Sequence, residues 1–236
     1  MANNDVEAII DSILIRSGQD TTTPEFVSRV SVLDMVNELI EELAQENVFI
    51  NPTPQTVTLV NGTRTYAMSN DATAPYALFD SDGEEIYPTD AETLSELDRD
   101  WKDLSGKTYN YIYELEQPKS ISLYKKPGSD EAALAYTLWY YWVPAAVTDS
   151  SSVYLPEPLR NNTSIIRNGV LSQIFAMRTE VQDRDRSNYH TAQYEVKKRE
   201  FVKDRIGQKR YVMGSKSGRR PSWRLRLPAD YPDVRY

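Results

Sequence analysis

The sequence predicts an α+β protein: a helical bundle with an inserted antiparallel β-rich lobe and an extended C-terminal tail. Helical spacing of apolar residues in 1–50 changes to a period of two in 51–150 and returns in 151–206. Residues 207–236 are rich in Lys and Arg and carry Gly and Pro, which predicts an extended basic tail. The two helical segments are expected to share one core, since that is the simplest way to bury both sets of apolar faces.

Residues before position 50 predict two helices. The first is expected from Asp5 to Ser17, with Gly18 as its stop. Thr23 is the predicted N-cap of the second, Pro24 occupies its first turn, and the helix is expected to reach Gln45. Apolar stripes mark both helices at three- and four-residue steps: Val6, Ile9, Ile10, Ile13 and Leu14 in the first, and Phe26, Val30, Leu33, Val36, Leu39, Ile40 and Leu43 in the second.

The middle of the chain predicts six or seven strands. Asn61-Gly62 between two alternating runs is the strongest short hairpin signal, so segments 55–60 and 63–68 are predicted to pair with each other. Asp80-Ser-Asp-Gly83 is the predicted turn of a second hairpin. A brief helix is expected from Asp90 to Trp101. The other expected strands are Lys107–Leu115, Ser120–Lys125 and Leu134–Val143.

Two further helices are predicted after Leu155-Pro-Glu-Pro158. One holds the apolar positions between Leu159 and Phe175. The other is expected from about Asp185 to Arg205, and Gly207 and Gly214 are expected to prevent the helix from continuing into the tail. Its predicted buried face consists of Tyr189, Ala192, Val196 and Val202.

Charge is distributed unevenly along the chain. Residues 197–236 contain thirteen of the 27 Lys/Arg and only four of the 35 Asp/Glu, a net charge of about +9. The remaining 196 residues hold fourteen basic and 31 acidic side chains, about −17. An acidic body with a basic, aromatic tail predicts attraction to an acidic surface on another copy or on another protein.

Composition also restricts the chemistry. The chain has no cysteine, which excludes disulfides, thiol nucleophiles and thiolate metal sites, and a single histidine, His190, which is expected on a helix surface. No Gly-rich phosphate loop is present. The predictions are therefore no enzymatic activity, no cofactor and no metal. The N-terminal residues do not have the pattern of a signal peptide, and no apolar window suggests a membrane span.

Three motifs of the β lobe admit a second interpretation. The loop from Asp80 to Glu85 resembles a calcium loop faintly, but its spacing favours a hairpin turn. The run Leu138–Trp142 suits a ligand cage or a sugar platform, although a core strand with Trp139 and Tyr141 at a subunit interface is preferred. The acids between residues 90 and 103 could form a carboxylate pair for glycan hydrolysis, or a solvated helix face.

The basic tail is predicted to dock on a partner protein through Arg–carboxylate pairs and aromatic burial. A nucleic-acid arm and a solvated, disordered extension remain the alternatives. The predicted docking residues are Lys209, Arg210, Tyr211, Arg219, Arg220, Trp223, Arg224, Arg226, Tyr231 and Tyr236.

The order of these segments resembles the bacteriophage head–tail adaptor (connector, or neck-ring) proteins of short-tailed phages, over roughly residues 20–205. The features that carry the resemblance are the Thr23-Pro-Glu-Phe26 start, the segment Val57–Tyr66, Asp82-Gly83 before the acidic helix with Trp101, and the segments Ile121–Pro127, Leu138–Pro144 and Tyr154–Pro158.

The resemblance implies a structural virion protein, made in the host cytoplasm and located in the neck. It implies a homo-oligomeric ring, usually of twelve subunits, that joins the portal protein to the tail nozzle and other tail proteins. DNA would pass through this ring during packaging and ejection without specific binding, and a C-terminal extension would dock on the portal. An acidic channel surface suits such a conduit because it does not hold phosphates. The alternatives are a nucleic-acid-binding module that acts through its tail and a tail-associated glycan-active protein.

Overall fold

The computed structural model describes residues 5–97, 99–178 and 181–214, and the side chains of residues 97, 181–182 and 206–214 lie outside this description. The fold is mixed α+β, as predicted, and it divides into two compact units. Residues up to Phe49 and from Val143 to Val212 form the helical unit, and Ile50–Trp142 form the sheet unit.

The described residues contain the following elements. The helices are α1 Val6–Arg16, α2 Arg29–Gln45, α3 Ala91–Leu97, α4 Thr163–Met177 and α5 Val181–Gly214, with 3-10 turns at Trp101–Asp103 and Leu159–Asn161. The strands are β1 Gln55–Thr58, β2 Thr65–Ala67, β3 Ala72–Phe79, β4 Glu85–Pro88, β5 Asn110–Tyr113, β6 Ser120–Leu123 and β7 Ala135–Trp142.

Helix α1 forms as predicted. The Asp5 carboxylate accepts a hydrogen bond from the Ala8 N–H at 2.7 Å, which caps the first turn. Gly18 follows the last turn with φ +77°, a left-handed conformation that suits glycine at a helix end. The five apolar residues of the predicted stripe are fully buried.

Helix α2 begins at Arg29, five residues after the predicted start, and its N-cap is Ser28. The Gln19 side chain accepts hydrogen bonds from the N–H groups of Phe26 and Val27, at 2.9 and 3.0 Å, and so holds this stretch outside the helix. The prediction that Phe26 and Val30 belong to the buried stripe is therefore wrong, since they are 49% and 67% exposed. The predicted C-terminal end at Gln45 is confirmed.

Side chains of α2 fix the segment that returns from the sheet unit. The Arg29 guanidinium binds both carboxylate oxygens of Asp149, at 2.8 and 2.9 Å, and also pairs with Asp11 of α1. The Asn37 amide donates to the Val147 carbonyl at 3.3 Å and accepts from the Val147 N–H at 2.8 Å. These bonds join the two chain segments from which the helical unit is built.

Helix α5 differs from the prediction in its length and in its buried face. It begins at Val181 and continues through Gly207 to Gly214, so Gly207 does not interrupt it. Tyr194 and Phe201 are its buried aromatic residues. The predicted face is wrong in its first three members, since Tyr189, Ala192 and Val196 are exposed. The sequence places apolar residues at helical spacing on two sides of α5, and the buried side is the one that carries two aromatic residues, Tyr194 and Phe201.

Gly169 of α4 lies where α2, α4 and α5 meet. A Cβ at this position would lie 2.5 Å from Leu39 Cδ1 of α2 and 3.2 Å from Tyr194 Cδ2 of α5. All three residues are buried. The absence of a side chain at Gly169 therefore allows these helices to approach closely.

The seven strands form one sheet in the order β1-β7-β3-β4-β5-β6-β2. Most neighbours are antiparallel, but β4 and β5 run parallel, with Tyr87 opposite Asn110. The predicted hairpin of segments 55–60 and 63–68 is wrong. The turn at Asn61-Gly62 exists, with Gly62 at φ +73°, but β1 pairs with β7 and β2 pairs with β6.

The two edge strands, β1 and β2, nevertheless face each other across a seam. The Gln55 side-chain amide donates to the Ala67 carbonyl at 3.0 Å and accepts from the Ser69 N–H at 2.9 Å. One side chain thus replaces a peptide group of the missing ladder. The curled sheet surrounds a core of buried residues from β1 and β3–β7 and the flanking loops: Val57, Leu59, Met68, Ala72, Leu78, Ile86, Tyr111, Ile121, Leu123, Tyr136, Leu138 and Tyr140.

Helix α3 is shorter than predicted. It ends at Leu97, and Trp101 lies in a separate 3-10 turn. Trp101 and Leu94 are buried in a second apolar cluster with Ile112 of β5 and Tyr124. The Arg64 guanidinium lies 4.7 Å from the Trp101 ring centre, a cation–π contact that holds the turn against the sheet.

We expect Gly169→Val to lower the free energy of unfolding by about 2 kcal/mol, because the added atoms collide with Leu39 and Tyr194 in a filled core. Chemical denaturation measures this change. Ala176→Val on the exposed side of α4 is the matched control and should have a much smaller effect. Equal effects of the two substitutions would contradict the close approach at Gly169.

We expect Gln55→Glu to destabilise the protein by about 1–2 kcal/mol at pH 7, because a carboxylate oxygen replaces the donor that faces the Ala67 carbonyl. Thermal and urea unfolding would report the loss. Gln117→Glu, at an exposed position of the same unit, makes the same chemical change away from the seam. If both variants unfold alike, the Gln55 amide does not hold the seam.

Candidate interaction surfaces

The predicted docking residues of the tail fall largely outside the described residues. The backbone of Lys209, Arg210 and Tyr211 belongs to α5. The other predicted docking residues lie outside the described part of the chain: Arg219, Arg220, Trp223, Arg224, Arg226, Tyr231 and Tyr236. Docking through these side chains therefore stays a prediction.

The predicted interface residues Trp139 and Tyr141 alternate along β7 with the core residues Leu138 and Tyr140. Tyr141 is buried against Tyr76 in an edge-to-face contact, with ring centres 5.5 Å apart. Burial and the neighbouring Tyr76 raise the pKa of Tyr141 to about 12. Trp139 is half-buried, so it offers more free surface to a partner than Tyr141 does.

The loop at Asp80 is a hairpin turn, as predicted, and joins β3 to β4. The buried Asp80 carboxylate accepts from the N–H groups of Asp82 and Glu84, at 2.9 and 2.8 Å, and lies 3.0 Å from Lys107 Nζ. Burial opposes its ionisation, but these partners prevail and lower the pKa of Asp80, while Asp80 raises the pKa of Lys107 to about 12. Within the described residues, no group of three or more His, Asp or Glu could hold a metal ion.

The acids between residues 90 and 103 form a solvated surface in the part of that segment that the structure describes. Asp90 caps α3 by accepting from the Thr93 N–H at 2.7 Å, and this bond lowers its pKa. Glu92, Glu96, Asp100 and Asp103 are exposed. A general acid for glycan hydrolysis needs a raised pKa, and Asp90 has the opposite shift.

An open cavity of about 510 Å³ lies in the helical unit, where the end of α1 meets α4 and α5. We call it the cationic cavity, because arginines from three places in the sequence line it. Arg178 donates to the Ser17 carbonyl at 2.9 Å, and Arg178 and Arg186 share the buried Asp183 at 4.0 and 3.6 Å. Its lining residues are Ile15, Arg16, Ser17, Gly18, Phe175, Arg178, Arg186 and His190.

His190, predicted on a helix surface, is a half-buried member of this cavity. Its ring stacks on Phe175 with centres 5.7 Å apart, and its Nδ1 lies 3.0 Å from the side-chain oxygen of Asn168. Burial and the nearby Arg16 lower the pKa of His190, and the same two causes lower the pKa of Arg167. Burial and the nearby positive charge therefore both disfavour the protonated form of the ring.

Two exposed surfaces lie elsewhere on the helical unit. The acidic face of α2 consists of Asp34, Glu38 and Glu41, which are exposed and follow each other at four- and three-residue steps. The neighbouring Glu42 and Glu46 are instead paired with Lys198 of α5, at 2.5 and 3.5 Å. The exposed stripe of α5 consists of Tyr189, Ala192 and Val196, on the side of the helix opposite to the buried Tyr194 and Phe201.

Sequence reasoning missed the cationic cavity, because Arg16 is far along the chain from Arg178 and Arg186, and each arginine alone looks like an ordinary surface charge. Arg178 next to the predicted helix end was the only local signal, since a cation there suits the negative end of the helix dipole.

Comparison with known proteins identifies the family to which this sequence is similar. A family model described as SU10 adaptor protein matches residues 5–221, which is most of the chain and includes both units. This is a family of phage head–tail adaptor proteins. A search of curated proteins gave no match. Of the described helices, none combines the length and the apolar character needed to cross a membrane.

We expect Asp80→Ala to destabilise the protein by about 2 kcal/mol at pH 7, because the N–H groups of Asp82 and Glu84 and the Lys107 ammonium all lose the buried carboxylate that they contact. The lowered pKa of Asp80 means that its carboxylate contributes stability above the ordinary value of 3.8, and this contribution is lost as the pH falls through the lower folded-state value. The difference in the free energy of unfolding between wild type and Asp80→Ala should therefore become smaller in urea unfolding measured below about pH 4.

Asp82→Ala is the matched control, at an exposed position in the same turn, and should lower the free energy of unfolding much less. A loss at Asp82 as large as that at Asp80 would refute this role.

Proposed function

Because this chain belongs to the SU10 adaptor protein family, we propose that it is a structural virion protein whose copies form a ring in the neck of a short-tailed phage. The ring contains twelve subunits and joins the portal protein to the tail nozzle and other tail proteins. The observation that carries this proposal is the family match over residues 5–221, which includes the sheet unit and all the described helices.

Exposed apolar groups on the helical unit support assembly into a ring. The exposed stripe of α5 places Tyr189 and Val196 in solvent at 61% and 52% exposure. Such residues on the outer side of a packed helix are suited to a contact with a neighbouring subunit. Trp139 on β7 supplies a second, half-buried aromatic contact of the same kind. We assign both to contacts between subunits.

The charge distribution supports a conduit for DNA. Residues 1–196 carry about −17, so the body of a ring repels phosphate and lets DNA pass during packaging and ejection. The basic residues are concentrated after residue 196. In the proposed assembly they bind an acidic surface of the portal protein, and many identical tails around one axis add their weak contacts.

We expect a chain that ends at Gly214, which keeps α5 at its observed length, to lose binding to the portal protein of the same phage. The removed residues hold most of the predicted docking side chains, Arg219–Tyr236. Pull-down and mass photometry with the purified portal measure the loss. Binding to double-stranded DNA, measured over a range of salt concentrations, should stay weak and unchanged.

A substitution set separates specific docking from general charge. Arg219→Gln, Arg220→Gln and Arg224→Gln together should weaken portal binding at least tenfold, since each removes a charge-assisted bond. Arg184→Gln, Arg199→Gln and Lys203→Gln remove the same charge from exposed positions of α5 and should leave binding intact. If the first set instead abolishes strong, salt-dependent DNA binding, the tail is a nucleic-acid arm. A reconstruction of the virion that places this chain outside the neck would refute the adaptor proposal as a whole.

A further inference from the structure

We propose that the cationic cavity of one copy receives the acidic face of α2 from the next copy, so that neighbouring subunits bind head to tail. This inference rests on the ring assembly proposed above and assigns its contact residues. The ligand of the cavity is thus a set of carboxylates, Asp34, Glu38 and Glu41, presented on one turn after another of a helix.

Among the described residues, the cavity carries more positive charge than its neighbouring carboxylates neutralise. Asp183 is the carboxylate that contacts its arginines among the described residues, and it is shared by Arg178 and Arg186 at the long distances of 4.0 and 3.6 Å. Within the same part of the chain, Arg16 has no carboxylate within ion-pair distance. The Arg178 and Arg186 guanidinium groups both make cation–π contacts with Phe175, at 5.5 and 5.6 Å from its ring centre. Planar guanidinium groups held in this way are suited to carboxylates.

A further unsatisfied group lies on α4, next in sequence to Asn168, whose side chain contacts His190 of the cavity. The Nε of Arg167 is buried and has no hydrogen-bond partner among the described residues. Burial lowers the pKa of both Arg167 and His190, and the charge of Arg16, which lines the cavity, lowers both further. An arriving carboxylate would reduce the repulsion between the Arg16 and Arg167 guanidinium groups.

The rim of the cavity indicates a protein rather than a nucleic acid. Ile15, which lines the cavity, is 65% exposed, and Tyr189, which packs edge-on against His190, is 61% exposed. A phosphate backbone gains little from such apolar groups, whereas a helix from another subunit buries them around its charged contacts. The exposed stripe of α5 begins at Tyr189, so the apolar surface continues away from the cavity.

The acidic face of α2 supplies the complementary charge. Its three carboxylates extend over roughly 10 Å of helix, given a rise of 1.5 Å per residue. Each is exposed, and none has a basic partner within ion-pair distance in the described part of the chain. Lys198 neutralises only Glu42 and Glu46, on the side of α2 that faces α5.

The two surfaces determine how copies can pair. They share no residue, so a contact between them uses a different surface on each copy, as a closed ring requires. Contact of either surface with itself in a two-fold dimer would bring like charges together and is disfavoured. A chain of such contacts closes when the rotation per subunit divides the circle.

Charge exchange tests the contact directly. Arg186→Glu in the cavity and Glu38→Arg on α2 should each reduce association of full-length chains at least tenfold, as measured by analytical ultracentrifugation and by ring counting on purified portal. The double variant should recover association, because the exchanged charges attract again. An equimolar mixture of the two single variants should also recover it, since every contact in an alternating ring is then complementary.

Two charge changes on α5 serve as matched controls. Arg184→Glu and Glu200→Arg lie at exposed positions and should leave association unchanged, while thermal unfolding verifies that all variants fold. If wild-type rings form but association is recovered neither in the double variant nor in the mixture, the proposed contact is wrong while the proposed ring is supported. If wild type forms no ring with or without portal, the proposed function fails and this contact fails with it. Loss of DNA binding in Arg186→Glu, without loss of association, would instead assign the cavity to phosphate.

Discussion

The helical unit depends on contacts between two chain segments, one before Ile50 and one after Trp142, which are separated in the sequence by about 90 residues. The helical unit is made from residues on both sides of the sheet unit, so its core forms only when the returning segment is fixed to α2. Arg29 and Asn37 provide this connection through Asp149 and Val147. The entropy of closing a loop rises slowly with its length, so a large insertion is tolerated when its two ends are bound in this way. The sheet unit has its own core and does not need to supply this restraint.

Electrostatics gives the helical unit two surfaces of opposite sign within a chain whose body is strongly acidic. The sequence predicted the overall imbalance, and it predicted that the basic tail would find an acidic partner. It could not predict the cationic cavity, because Arg16, Arg178 and Arg186 become neighbours only when α1 and α5 pack on α4. For the same reason, His190 looked like a plain surface residue, although it lies half-buried between Phe175 and Asn168. The predicted portal-docking residues are a different case, since most of them lie outside the described residues.

Short sequence patterns predicted the fold best in those elements whose hydrogen bonds join residues that are close in the sequence. A helix from about Asp5 and the hairpin at Asp80 were both predicted, and both are held by bonds between neighbours within four residues. The start of α2 was missed because the Gln19 side chain accepts from the Val27 N–H, which a helix capped at Thr23 would have directed to the Thr23 carbonyl. The turn at Asn61-Gly62 is present, but β1 and β2 do not pair with each other; β1 pairs with β7 and β2 pairs with β6. In both cases the residues that form the observed hydrogen bonds are farther apart in the sequence than the short segments on which propensity rules are based.

The seam at Gln55 has a consequence for the ring proposed above, in which many copies of the chain would lie side by side. A bare strand edge is a template for another chain, and crowding identical subunits together would invite unlimited strand-to-strand growth into fibres. Here a single glutamine amide occupies part of that template from within the same molecule. In the proposed ring, the sheets of neighbouring subunits would therefore stay separate at high local concentration, and association would use other surfaces, which close into an assembly of limited size.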